Sequence, residues 1–87
     1  LNGRNPVARA KLAELLEKTG EFEDAAEQWR LAAEQFLEKG DHSSCIDIVE
    51  RLLRTRTDDT ELRDLLSQAQ VQRDSLRVLD GMLGRDF

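Results

Sequence analysis

Two glycines twenty residues apart, Gly20 and Gly40, are each followed by the same spaced set of positions. Phe22, Ala25, Trp29 and Ala32 follow the first; His42, Cys45, Val49 and Leu52 follow the second at identical offsets. Steps of three and four residues gather such positions on one side of an α-helix. Each glycine supplies the positive-φ residue that commonly ends the preceding helix. Self-similarity of this kind is the mark of stacked helical hairpins, and it leaves the chain few architectures other than antiparallel helices.

Composition agrees. One proline, five glycines and no tyrosine in 87 residues leave little material for a turn-rich β-fold. Leu, Ala, Glu, Arg, Gln and Lys dominate, and these are the stronger helix formers. A chain of this length buries roughly 60–65% of its unfolded surface, enough for one thin core. No run approaches the ~20 apolar residues that span a bilayer, and the N-terminus lacks a signal peptide's apolar stretch, so no membrane insertion is expected. One cysteine cannot form an internal disulfide and fits a reducing, cytoplasmic setting. The chain opens at Leu1 rather than Met, which suggests a fragment of a larger protein, residues 1–87 forming a single domain.

Four helical segments follow from the apolar period, over roughly 6–19, 22–39, 42–55 and 59–83. Asn5-Pro6 opens the first with an N-cap and a proline at the first helical position; Ala8, Leu12, Leu15 and Leu16 form its expected apolar face. The second carries Phe22, Ala25, Ala26, Trp29, Ala32, Ala33, Phe36 and Leu37 in one wide stripe. Asp41, Ser43 or Ser44 can cap the third, which carries Cys45, Ile46, Val49, Leu52 and Leu53. In the fourth, Leu62, Leu65, Leu66 and Ala69 share a side. The stripe then lapses from Gln70 to Ser75 and returns at Leu76, Leu79, Met82 and Leu83. One long helix is expected there, or one broken near 70–75.

These residues resemble the tetratricopeptide repeat (TPR), a 34-residue helix-turn-helix with the pattern W-x2-L-G-x2-Y, then A-x3-F, then a proline. One frame gives Arg9-x2-Leu12-Ala13-x2-Leu16, then Gly20, Phe22, Ala25-x3-Trp29 and Ala32. A second gives Trp29-x2-Ala32-Ala33-x2-Phe36, then Gly40, His42, Cys45-x3-Val49 and Leu52; Arg63-x2-Leu66-Ser67-x2-Gln70 falls where a third should begin. Arg9, Arg63 and Gln70 replace large apolar positions, and Thr57 stands where proline is usual. The frames overlap, so residues 25–36 serve one repeat as second helix and the next as first. The resemblance implies an all-α, right-handed stack of hairpins whose core includes Leu12, Phe22, Ala25, Trp29, Ala32, Phe36, Cys45, Val49, Leu52 and Leu66, with turns at Gly20 and Gly40. Physical packing asks for the same small-against-large code, because helices approach to ~8–10 Å only where small side chains meet bulky ones. Ala25, Ala32, Ala33 and Ser67 are the expected holes; Phe22, Trp29 and Phe36 the expected fillers.

Chemistry is sparse. His42 and Cys45 are the only residues of their types. Set three apart at a helix start, they could act as base and nucleophile, but the repeat reads Cys45 as a small buried residue and His42 as a turn position. Metal binding needs three or four ligands at usable spacing, and His42 and Cys45 with Asp41 or Asp47 make a poor set. No phosphate loop and no nucleophile elbow is present. Neither an enzyme, a cofactor nor a metal is expected.

Charge points instead to a partner. Residues 1–50 carry eleven acids and six bases, and the whole chain has a net charge of −5. An acidic surface repels a phosphate backbone, so nucleic acid is not the expected ligand. The TPR resemblance implies ligand contacts on the concave face of the first helices: Glu14, Glu27, Arg30, Glu34, Glu38, Glu61, Asp64 and Gln68, with Val7 and Ala10 beside Glu14. Chaperone-binding members of that family use Lys, Arg and Asn there to clamp a terminal carboxylate. Acids in those places imply a basic peptide or an Arg-rich partner surface, and the competing reading is that they only keep a face solvated. The expected function is a non-catalytic protein-interaction module. The alternative is a structural or homo-oligomerisation element in which Leu76, Leu79, Met82, Leu83 and Phe87 cap the stack or dock on another chain.

Overall fold

Asn5 opens the first helix as its sequence predicts. Its Oδ1 accepts the N–H of Val7 at 3.0 Å and that of Ala8 at 3.2 Å, and Pro6 takes the first helical position. The computed structural model describes the backbone of residues 5–85 and the side chains of residues 5–76. Its elements are α1 (Pro6–Lys18), α2 (Phe22–Glu38), α3 (His42–Leu53) and α4 (Thr60–Arg85). Every regular element among the described residues is helical, and no helix there is long and apolar enough to cross a membrane.

The twenty-residue repeat becomes a repeated turn. Gly20 and Gly40 both have φ +83°, a conformation that costs glycine little and other residues more. After α1, Glu21 N–H reaches Leu16 O at 2.8 Å and Gly20 N–H reaches Glu17 O at 3.1 Å. After α2 the same pair recurs as Asp41 to Phe36 at 2.9 Å and Gly40 to Leu37 at 3.0 Å. Both are Schellman closures, which satisfy the last carbonyls of a helix and reverse the chain. Asp41 then caps α3 by accepting Ser44 N–H at 3.1 Å, and Asp59 caps α4 by accepting Leu62 N–H at 3.2 Å.

Each helix packs on its neighbour in sequence, and α2 also touches α4. Helix α2 therefore sits between α1 and α3, and its alanines permit the approach on both sides. Ala25, Ala32, Ala33 and Trp29 are buried there with Ala13 of α1 and Cys45, Ile46, Ile48, Val49 and Leu52 of α3. Leu62, Leu65 and Ala69 of α4 complete the core, with Phe36 and Leu66 partly buried against it. A polar clip closes one edge. Glu17 of α1 accepts from Trp29 Nε1 at 3.0 Å and from Arg51 Nη2 at 2.8 Å, while the Arg51 guanidinium lies 4.7 Å from the Trp29 ring centroid, close enough for cation–π attraction.

Three sequence expectations change. Leu12, expected in the core, is 44% exposed, and Ala8 and Leu15 are exposed with it. Helix α1 packs only on α2, so it needs one narrow stripe, and Pro6, Ala10, Ala13 and Leu16 supply it. Phe22, expected as a filler, is 65% exposed: it lies in the first turn of α2 at the end of the stack. Ser67, expected as a hole, is exposed. A hole at that position requires a helix beyond α4, and none packs there among the described residues. Of the two forms the sequence left open for the fourth segment, the structure takes the single long helix, and α4 does not break near 70–75. Residues 60–80 hold no Gly or Pro, so nothing interrupts the hydrogen-bond ladder. His42 Nε2 stands 3.3 Å from Gln72 Oε1, which marks where α4 passes the first turn of α3. The apolar stripe lapses because α4 has run out of partner, not out of helix.

Candidate partner-binding groove

The contact between α2 and α4 sets their outer flanks side by side, and a groove runs between them. Glu34, Leu37 and Glu38 line it from α2; Glu61, Leu65 and Gln68 line it from α4. Helical spacing explains the choice. Positions 34, 37 and 38 and positions 61, 65 and 68 each recur at three or four residues, so each set makes one ridge. An adjoining cleft continues past Glu61 to Glu23, Ala26, Glu27 and Arg30 of α2, Leu52 of α3, and Arg56, Asp59 and Leu62.

Six carboxylates (Glu23, Glu27, Glu34, Glu38, Asp59 and Glu61) face two guanidiniums in these clefts. Both guanidiniums are already engaged. Arg30 donates to Glu27 and to Glu34, each at 2.7 Å, and Arg56 donates to Glu23 at 2.9 Å. The hydrogen bond that Arg30 donates to Glu27 raises the Arg30 pKa above its ordinary value; the negative charges of Glu27, Glu34 and Glu61 add to this against partial burial. Arg30 thus serves as a fixed strut between two acids, and the groove remains negative overall.

Six of the eight residues expected at a binding face therefore meet: Glu27, Arg30, Glu34, Glu38, Glu61 and Gln68. Asp64 is exposed on α4 but lines neither cleft, and Glu14 is exposed on α1, which makes no packing contact with α4. Leu37, Leu65, Ala26 and Leu52 were legible only as core, yet their edges floor the groove. Arg56 and Glu23 lie 33 residues apart, and no local pattern signals that pairing. Among the expected capping residues, Leu76 is exposed; the side chains of Leu79, Met82, Leu83 and Phe87 lie outside the described residues.

Cys45 has no exposed surface. Burial pushes its thiol up to about 11 from 9.0, with the negative charges of Glu34 and Asp41 adding to the effect, so the thiolate is scarce at neutral pH. The folded state holds this proton more tightly than the unfolded chain. The stability this contributes is complete below pH 9 and is lost as pH rises from about 9 to about 11. Denaturant melts should show an alkaline loss of up to roughly 3 kcal/mol for the wild type beyond that of Cys45→Ala; identical pH profiles would show that Cys45 contributes nothing. Among the described residues no group of three or more His, Cys, Asp or Glu is arranged to hold a metal ion.

Comparison of the chain with protein-family models, with curated proteins and with solved structures returns no match.

Proposed function

We propose that this chain is a non-catalytic protein-interaction module, a short TPR-like stack of hairpins that takes a basic peptide or basic partner surface in the acidic groove along α2. The observation that carries this reading is the convergence of Glu34, Glu38 and Glu61 around Leu37 and Leu65, on two helices held side by side. Supporting it, α2 and α3 form a hairpin and α4 returns beside α2, the neighbour pattern of a second-frame repeat followed by the next first helix. A groove with apolar flooring and a negative rim attracts cationic segments from a distance and lets their aliphatic stems pack.

Fluorescence anisotropy with a labelled twelve-residue Arg-rich peptide tests it. Wild type should bind more weakly as salt rises, because screening shortens the reach of these charges. The Glu38→Lys/Glu61→Lys variant should lose about tenfold in affinity or more, on the order of 1.4 kcal/mol. Equal affinity of wild type and variant, with both folded by circular dichroism, would overturn the reading.

A further inference from the structure

At the end of the acidic groove the surface changes character. A cleft of about 630 Å³ opens there, lined by Phe22 and Ala26 of α2, Leu52 of α3, and the side chains of Glu17, Arg51 and Arg56 among others. Its charged groups are paired with one another. Glu17 pairs with Arg51 at 2.8 Å, Glu23 pairs with Arg56 at 2.9 Å, and Thr55 Oγ1 donates to Leu52 O at 3.2 Å. What is left to a visitor is the Phe22 ring, 65% exposed, and the edges of Ala26 and Leu52. Scattered exposed apolar residues are ordinary, but an aromatic ring walling a cleft whose charges are paired one to one offers an apolar seat.

Glu23, Ala26, Leu52 and Arg56 belong both to this cleft and to the acidic cleft beside it. The two are therefore one path along α2, neutral and apolar at Phe22 and negative from Glu27 onward. From Phe22 to Glu34 it runs about 18 Å at the helical rise, which an extended peptide covers in about five or six residues.

We propose that the Phe22 cleft seats one large apolar side chain of the same basic segment that the groove takes, so that the recognised peptide has an apolar anchor at one end and Arg or Lys along the rest. This rests on the functional reading above and adds a specificity element to it. Charge complementarity selects the basic portion; the one-to-one pairing of charges around Phe22 leaves no net field there, so the anchor position favours an apolar side chain over a cation, which would give up hydration for little in return.

A random twelve-residue peptide display library, selected on the wild-type chain, tests the anchor. Enriched peptides should place Leu, Ile, Met, Phe or Trp at one end of a basic run. A labelled enriched peptide should bind Phe22→Ala at least tenfold more weakly and Phe22→Leu nearly as well as wild type; the exposure of Phe22 lets both variants fold, which circular dichroism checks. Basic peptides without a fixed apolar position, or full affinity for Phe22→Ala, would overturn the anchor and leave the acidic groove intact. Enrichment without basic residues, together with full affinity of Glu38→Lys/Glu61→Lys, would overturn both. Light scattering covers the remaining occupant: a two-chain mass for wild type that Phe22→Ala reduces to one assigns the cleft to a second copy and overturns the proposal.

Discussion

Replacing Trp29 with alanine is expected to unfold this domain or bring it close to unfolding at room temperature. Trp29 is 6% exposed and lies on the helix that packs between two others, so its ring contributes to the contacts of α2 on both sides. Truncating such a side chain costs about 3–5 kcal/mol through lost burial and the cavity that remains. Total stabilities of small domains begin at only about 5 kcal/mol. Two further losses accompany the cavity: Glu17 loses the indole N–H that it accepts at 3.0 Å, and Arg51 loses the ring it covers at 4.7 Å. Thermal melts should show a midpoint lowered by roughly 15 °C or more, given 4–8 °C per kcal/mol for a chain of this size. Trp29→Phe keeps most of the volume and should retain a cooperative transition. A Trp29→Ala protein melting within a few degrees of wild type would show that the ring does not hold the stack together.

Leu62→Ala is expected to act on stability and on the groove together. Leu62 is 1% exposed and sits in the first turn of α4, where its N–H is held by Asp59 at 3.2 Å. Its loss should cost about 2–5 kcal/mol, and the cost is localised because α4 packs on α3 and otherwise only touches α2. The groove depends on α4 through Glu61, Leu65 and Gln68. Hydrogen exchange should therefore quicken in α4 more than in α1, and affinity for the Arg-rich peptide should fall even where the remainder of the domain is folded. Uniform acceleration across all four helices, with affinity unchanged, would show that α4 is not a separate latch and that its ridge does not shape the groove.

Much of this architecture was legible because it is written in local chemistry. Asn5-Pro6, Gly20, Gly40, Asp41 and the Thr55–Asp59 connector mark helix ends through backbone hydrogen bonds between residues close in sequence, and the observed ends lie within two residues of those expected. The core of α2 was legible for the same reason: alanines and aromatics at three- and four-residue steps must share a face. Reading failed where a residue's fate depends on whether a neighbour exists. Leu12 and Leu15 form as good an apolar stripe as Ala13 and Leu16, but α1 packs on α2 alone, and only one stripe is covered. Ser67 has the spacing of a hole, but among the described residues no helix packs against that side of α4. At 70–75 the sequence left both a continuous and a broken α4 open, because periodicity reports burial, and burial lapses where α4 passes the first turn of α3 although its own ladder continues.

The candidate site divides the same way. Glu34, Glu38, Glu61 and Gln68 were assignable to one face through the repeat frame, since helical spacing carries each set of them. The Phe22 cleft was not, because its neutrality comes from the pairs Glu17–Arg51 and Glu23–Arg56, which join residues 34 and 33 apart. By itself the sequence determined four helices, their turns, the small-against-large face of α2 and the acidic sign of the surface, all properties of residues within one helical turn of each other or of the summed charge. Only the tertiary structure decided which apolar stripe of α1 is buried, where α4 outruns its partner and which charges are spent on one another. Those outcomes depend on what stands opposite a side chain, and spacing along the chain does not encode it.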